Sequence, residues 1–511
     1  MYKPLLIILL WCSNAGFSQD WPVKKQVEEL KARKLPQKLF EPFTFVSNQQ
    51  LQQRGTYQQL TVNSSFNKQI FAERPPIIRL SVPVSKTEAI ICDLIKFELG
   101  NIKFTANDKN VLQDITMPAT YRGVVVGEAE RNNVVLTVNE NYLSLIATFS
   151  TYAIQVIKAD LTNPQGYRLY NSKSVQFPVV PFNCGTKSES SSALVKAIQS
   201  PGYQNKNSAP LQKCVQVFID CFDSLYLWQG SNMQQTVNYV TELFNAVATG
   251  YLNEQINIQI TTINIWTTPD PYRGDNRENA LADLAAKYQE EFYGNICVGL
   301  DFSLNSQRGR SGIAGAIGRV KAQLTNTCFA YTPEDNPFCY CDMNYNVKDS
   351  NFPVGPNTTG QQIYLTMHEM GHLLGAYHTK WCGWKLTSNP DTFGTLDSCG
   401  VIEGSCPQGP PPPATGSTIM SYCVSGNKAS DFVNFNNGFG LLPGNAVRNF
   451  VDQSACIPKC LACLIKNDGP IDTRPFRENF IQQLIALNQQ PKELPYNIAF
   501  NIKNNSSPPT K

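Results

Sequence analysis

All three histidines of the 511-residue chain, His368, His372 and His378, fall inside one segment, TMHEMGHLLGAYHTKWCGW (366–384). On a helix, residues four apart share a face, so His368 and His372 aim both imidazoles at one place. Glu369 lies one step further round, where a carboxylate reaches a water at that place rather than a metal ion itself. Gly375 permits a positive φ at the helix end, and the sharp turn that follows delivers His378 as a third nitrogen donor. Three neutral imidazoles with one position left over match a catalytic zinc ion, because a structural zinc is closed by four protein ligands. The chemistry open to such a group is hydrolysis, with Glu369 taking a proton from a zinc-activated water. A helix carrying ordinary hydrogen-bonded histidines is the plainer reading, but it leaves the lack of any histidine elsewhere without a cause.

The elements that must position these residues can be read from periodicity. QQIYLTMHEMGHLLG (361–375) is the helix that carries the first two histidines. Before it, CVQVFIDCF (214–222), INIQITTINIW (256–266) and ICVGLDF (296–302) read as buried strands. They alternate with helical patterns at MQQTVNYVTELFNAVATGYL (233–252) and NALADLAAKYQEEFYG (279–294). Strands alternating with helices predict a sheet covered by helices. RSGIAGAIG (310–318) is the candidate edge strand for an extended substrate, its glycines allowing close backbone approach.

The first third of the chain differs. IIRLSVPV (77–84), YRGVVVGEAERNNVVLTV (121–138) and YLSLIATF (142–149) alternate apolar and polar residues between Gly, Asn and Pro turns, which predicts antiparallel sheet. The Ser-, Lys-, Gly- and Pro-rich stretch 184–214 then reads either as a protease-exposed linker or as a long surface loop. After Cys463 the chain turns polar; IDTRPFRENFIQQLIALNQQ (471–490) could form one more helix, and the end, NNSSPPTK, is expected to be disordered.

The start, MYKPLLIILLWCSNAGFSQD, reads as a secretory signal peptide with cleavage expected after Ser18. The bulky Trp11 before Cys12 argues against a lipid anchor there. No later segment is apolar for long enough to span a membrane, so an exported protein, extracellular, periplasmic or at the cell surface, is expected. The net charge is +3, with charges scattered, which gives no footprint for nucleic acid or an anionic membrane. Sixteen cysteines suit an oxidising compartment.

His368 to His378 form HExxHxxGxxH, which resembles the metzincin clan of zinc endopeptidases. GSTIMSYC (416–423) is similar to the methionine turn of that clan, so the resemblance implies Met420 as a floor beneath the metal. Tyr422 stands where astacins and serralysins keep a tyrosine that moves onto the transition state; a packed core tyrosine fits equally. YRGVVVGEAERNNVVLTVNENYLSLI (121–146) looks like the propeptide pattern of the reprolysin (adamalysin-like) branch. PFNCGT (181–186) matches its Pro-x-x-Cys-Gly cysteine switch through Pro181, Cys184 and Gly185. The resemblance therefore implies that Cys184 fills the fourth zinc position in a latent zymogen.

Thr379 stands where animal reprolysins typically carry Asp. WCGW after His378 and FNNGFGLLPGN (435–445) are instead similar to reprolysin-like enzymes secreted by Bacteroidetes-type bacteria.

The fold so implied is α+β, a mostly β propeptide domain followed by a metzincin domain with a twisted mixed sheet, a zinc helix and a Met-turn subdomain. Boundaries are expected at 1–18 (signal), 19–205 (propeptide, switch and linker), 206–460 (peptidase) and 461–511 (tail). One catalytic zinc ion is implied, and a structural calcium is admitted. The partners expected are protein or peptide substrates, acted on by a monomer; a catalytically inactive binding protein of the same fold is the alternative.

Removal of Cys12 with the signal leaves an odd number of cysteines, which an unpaired switch residue Cys184 would explain. Cys92 then either bridges to the later region or is itself free. Cys456, Cys460 and Cys463 are expected in disulfides rather than in a second zinc site.

Overall fold

The computed structural model describes residues 21–32, 38–46, 57–112, 114–158, 166–171, 184–187, 195–196, 199, 213–273, 276–288, 294–303, 312–318, 320, 337–344, 360–388, 391–413, 416–423 and 435–460. The expected signal peptide, Pro181, most of the 184–214 stretch, Cys328, Cys463 and the tail 461–511 lie outside the described residues. The described residues fall in one compact unit, Met1–Cys460.

The chain is a mixed α+β structure with a β-rich N-terminal region. That region opens with helix α1 (Pro22–Ala32), strands β1 (Leu39–Phe40), β2 (Phe43–Phe45) and β3 (Gln58–Val62), and helix α2 (Ser64–Glu73). It continues through β4 (Ile77–Pro83), β5 (Ala89–Phe97), β6 (Lys103–Ala106), β7 (Asn110–Val111), β8 (Ala119–Val125), β9 (Asn133–Val138), β10 (Leu143–Thr148), β11 (Ala153–Lys158) and β12 (Tyr167–Asn171). Ten of these strands form one sheet in the order β1-β4-β5-β8-β9-β10-β11-β12-β3-β2. Its apolar alternation buries Leu80, Leu94, Tyr121, Leu136, Leu145 and Val156 in a core of its own.

The second region carries β13 (Cys214–Cys221), helices α3 (Asp223–Trp228) and α4 (Met233–Asn253), β14 (Asn257–Ile265), α5 (Arg277–Tyr288), β15 (Ile296–Asp301), β16 (Gly312–Ala314) and β17 (Phe338–Asp342). Helix α6 (Gly360–Leu373), the hairpin β18 (Trp384–Ser388) and β19 (Asp391–Gly394), and α7 (Leu441–Gln453) follow. The strands expected at 214–222, 256–266 and 296–302 become β13, β14 and β15, paired parallel as crossover helices require. β16 pairs antiparallel with β17 at one edge of the sheet.

One feature of this sheet comes from the other region. β6 and β7 leave the N-terminal sheet and extend the second one, β6 pairing parallel with β14 from Thr262↔Lys103 to Ile265↔Ala106. The crossover is sealed by polar contacts: Thr105 Oγ1 and the Asp108 N–H both donate to Asn264 Oδ1 at 2.8 Å.

Helix α4 lies between the two regions. Asn232 caps it, its side chain accepting from the Gln235 N–H at 3.0 Å. Val240, Leu243, Phe244 and Val247 enter the second core. The helix also meets the N-terminal region: Ser144 Oγ donates to Glu242 Oε1 at 2.6 Å, Asn245 Nδ2 donates to Leu136 O at 3.0 Å and Thr137 Oγ1 at 2.8 Å, and Leu252 packs with Val23, Val27, Ile77, Ile95 and Val124.

Disulfides pair Cys214 with Cys460, Cys382 with Cys406 and Cys399 with Cys423, and Cys456 is also disulfide-bonded. The odd-count argument needs correction, because Cys92, Cys184, Cys221, Cys297, Cys339 and Cys341 are all free and buried. Four of these thiols stand on the parallel strands of the second sheet, so the parity of the count does not single out Cys184. No described helix is long and apolar enough to cross a membrane.

Candidate metal centre

Helix α6 runs from Gly360 to Leu373 and is buried along almost its whole length, with His368, Glu369 and His372 fully enclosed. It stops where expected: Gly375 takes φ +99°, a conformation that strains any residue with a Cβ. The Gly375 and Ala376 N–H groups donate to His372 O and Gly371 O, both at 2.9 Å, and the chain doubles back to bring in His378. Gly371 has a second reason to be small, since a Cβ there would stand 2.6 Å from the Phe439 ring and 3.1 Å from Met420 Sδ. Met420 is thus packed directly against the histidine helix.

The three rings converge through Nε2. His372 Nε2 lies 3.2 Å from His368 Nε2 and 3.0 Å from His378 Nε2. Each Nδ1 is committed elsewhere: His368 to Ile419 O, His372 to Ala376 O and His378 to Glu403 Oε1, all at 2.7 Å. With Nδ1–H donating outward, the Nε2 lone pairs are left facing one another, the tautomer a metal site needs. Burial pushes His368 and His372 well below the ordinary imidazole range, with repulsion among the rings adding to it. Neutral imidazoles are the ligating form.

Cys184 joins this cluster. Its Sγ is 3.5 Å from His372 Nε2, and the four ligand atoms of Cys184, His368, His372 and His378 all lie within 4.8 Å of one another. The thiol donates to Glu369 Oε2 at 3.5 Å and accepts from the Thr186 N–H at 3.3 Å. Burial, and after it the Glu369 carboxylate, push the Cys184 thiol well up. A divalent cation at the Nε2 focus is the counter-charge that would favour the thiolate there. Three nitrogens and one sulfur in a closed, buried set suit zinc by number and by donor softness.

Beside this set, Glu369 is held close without being one of its four donors. Thr186 Oγ1 donates to Glu369 Oε2 at 3.2 Å, while Glu369 Oε1 has no hydrogen-bond partner among the described residues. Gly312 makes room for it, because a Cβ there would fall 2.4 Å from Oε1. Burial pushes the Glu369 carboxyl up to about 8, against the opposing hydrogen bonds from Cys184 and Thr186. Tyr422 closes the other side, its hydroxyl 3.5 Å from His378 Nε2 and donating to Cys184 O at 3.4 Å.

Three residues of this environment were not among those read from the sequence. Glu403 supplies a carboxylate to His378 from a loop held by the Cys382–Cys406 and Cys399–Cys423 disulfides. Lys380 bridges that carboxylate at 3.3 Å and stands 3.4 Å above the Tyr422 ring. Thr186 carries two of the contacts that seat Cys184 and Glu369. Nothing in the local motif announces Glu403, although an acidic residue enclosed by paired cysteines after the third histidine is the kind of signal that could find it. Thr379 also acquires a contact: its N–H and hydroxyl both donate to Met420 O, at 3.1 and 3.3 Å.

The other expectations divide. Among the described residues no group of carboxylates gathers as a calcium site would require, and the second set of possible ligands, Asp397, Cys399 and Cys423, contains a disulfide. The structural calcium is therefore not supported. Cys214–Cys460 and the bonded Cys456 take the disulfide course expected for that cluster.

A family model of metallo-peptidase family M12, reprolysin type, matches residues 212–435. Metalloproteinase-II from Bacteroides fragilis is similar over 59% of this chain and 81% of its own, at 12% identity and a TM-score of 0.32. A solved chaperone–substrate complex is similar over 74% of this chain and 58% of its own, at 10% identity and a TM-score of 0.26. The matched segment includes all three histidines, Glu369 and Met420, so the residues of the cluster other than Cys184 lie within the stretch that is similar to reprolysin-type metallopeptidases of family M12.

Proposed function

We propose that this protein is a secreted zinc metalloendopeptidase made as a latent zymogen, with His368, His372 and His378 as zinc ligands and Glu369 as catalytic base. The observation that carries the reading is the convergence of three Nε2 atoms and the Cys184 sulfur within 4.8 Å of one another. The domain plan belongs to the same proposal: a signal at 1–18, a propeptide with switch and linker at 19–205, a peptidase at 206–460 and a tail at 461–511. M12 metallopeptidases act on proteins and use zinc, which supports the substrate class and the metal.

Bound zinc supplies Lewis acidity, bringing the pKa of a water towards ~7 and polarising the scissile carbonyl. Everything else falls to the chain. Cys184 leaves with the propeptide, and Thr186 leaves with it, which frees Glu369 Oε2 to join Oε1 in facing the cleft. Glu369 accepts the proton of the attacking water and passes it to the departing nitrogen. The Tyr422 hydroxyl loses its acceptor Cys184 O in the same event and becomes free to donate to the carbonyl oxygen as charge develops there. The enclosed surroundings strengthen each of these interactions.

Processed enzyme should cleave casein, lose activity in a chelator and regain it with zinc. Glu369→Ala should keep its zinc and lose cleavage; casein hydrolysis surviving that substitution would refute the assignment. Loss of activity with zinc retained also separates this reading from an inactive binding protein.

A further inference from the structure

The segment that carries Cys184 follows the edge strand of the catalytic sheet. The Gly185 N–H donates to Gly312 O at 3.0 Å, and the Ala314 N–H donates to Thr186 Oγ1 at 2.7 Å. Gly185 and Thr186 thus pair with β16 in the strand's own direction, and three residues past β16 stands Ile317, beside Gly318, whose N–H donates to His372 O at 2.9 Å. Ile317 belongs to a small apolar cluster with Tyr377 and Trp384, rimmed by Trp381, Leu396 and Leu442. Val195 packs onto this cluster, and Gln199 Nε2 donates to Gly383 O at 3.1 Å.

The cluster is built as a rigid platform. The Tyr377 and Trp381 rings stack with centroids 3.9 Å apart, and Trp384 meets Trp381 edge-on at 5.5 Å. Trp384 Nε1 donates to His378 O at 2.8 Å, which ties the platform to the third histidine. Both tryptophans come from WCGW, the stretch in which this chain departs from animal reprolysins.

We infer that the Trp381–Trp384 platform is a peptide subsite for a branched aliphatic side chain, filled in this state by the chain's own Val195. Two observations converge on it. Val195 and Gln199 of this chain already stand on it, and it lies just past β16, the edge an extended substrate would pair with. The contact also combines an apolar anchor with a backbone carbonyl, Gly383 O, that receives an amide donor from the occupant. Stacked aromatic rings offer a large apolar area with little side-chain freedom to lose, as binding anchors do. Removal of the linker exposes the platform, and the residue that replaces Val195 is one of the substrate. The inference rests on the peptidase reading for that last step only; the pocket's affinity for an aliphatic peptide stands apart from it.

The test uses the full-length chain and a labelled peptide of its own sequence, SSALVKAIQ (191–199). Val195→Asp in the chain removes the internal occupant, and the peptide should then bind at least about tenfold more tightly than to the unsubstituted chain, where the tethered segment competes. Adding Trp381→Ala, or in a separate chain Leu442→Asn, should reverse that gain. In processed enzyme, the ratio of kcat/KM for a peptide with Val over one with Ala at a single position away from the scissile bond should fall about tenfold with either substitution. Equal peptide binding to all chains, or an unchanged Val/Ala ratio, overturns the subsite. Peptide binding that follows the pattern in a protein that cleaves nothing would overturn the peptidase reading and leave the subsite standing.

Discussion

The two halves of the metal centre are held in different ways. Each histidine is fixed from both ends by the catalytic region itself: helix α6 or its return turn sets the backbone, and Ile419 O, Ala376 O or Glu403 takes the Nδ1 proton. Cys184 arrives instead on a segment joined to that region through Gly185–Gly312, Thr186–Ala314 and Tyr422–Cys184 O, contacts of roughly 1 kcal/mol each. On the proposed reading, the donors that persist are locked by groups of their own region, and the donor that departs is seated by a few ordinary hydrogen bonds.

Helix α4 repeats the contrast on a larger scale. Val240, Leu243, Phe244 and Val247 are committed to the second core, while towards the N-terminal region Glu242 and Asn245 are paired across the boundary and Leu252 packs with Val23, Val27, Ile77, Ile95 and Val124. If the sheet departs as proposed, the polar pairs can exchange their partners for water.

The sharpest way to break the comparison is to attack the permanent half. Glu369→Ala should lower kcat of processed enzyme by about 10²–10⁴-fold, the range for a proton-transfer group, with zinc content unchanged. The removable half comes next: Cys184→Ser should give full-length chain a large fraction of the processed enzyme's peptidase activity before any cleavage, measured on a quenched peptide. Glu403→Ala removes the carboxylate behind His378 and should weaken zinc affinity by about 10–100-fold in a chelator competition, with Glu403→Gln restoring part of it. The smallest effect is expected from Thr186→Val, which deletes hydroxyl contacts to Glu369 and Ala314; full-length chain should leak activity several-fold above background without becoming fully active. If Thr186→Val activated as strongly as Cys184→Ser, the sulfur would not be the group that blocks the site.

What could be read from the sequence was whatever depends on local spacing. His368, Glu369, His372, Gly375 and His378 are close in sequence, so helix geometry alone foretold their convergence. β13, β14 and β15 followed from short stretches rich in Val, Ile and Leu. Cys184 and Met420 came through resemblance to family motifs, and both lie at the centre. Glu403 was illegible because a disulfide-held loop, not helical periodicity, brings it to His378. The β6–β7 hairpin was illegible for a related reason: its pairing with β14 joins residues far apart in sequence, and strand alternation says nothing about which sheet a strand will enter. The cysteine count misled because burial on the strands of the second sheet keeps Cys221, Cys297, Cys339 and Cys341 as free thiols.

The central claim is that one zinc ion is shared by three histidines and Cys184 until the propeptide is removed. X-ray absorption at the zinc edge, on full-length protein and again after processing, tests it directly. Three nitrogen neighbours and one sulfur at about 2.3 Å are predicted for the full-length chain, with the sulfur replaced by oxygen once processed. A full-length chain whose zinc shows no sulfur neighbour, or a processed one that retains it, would contradict the account.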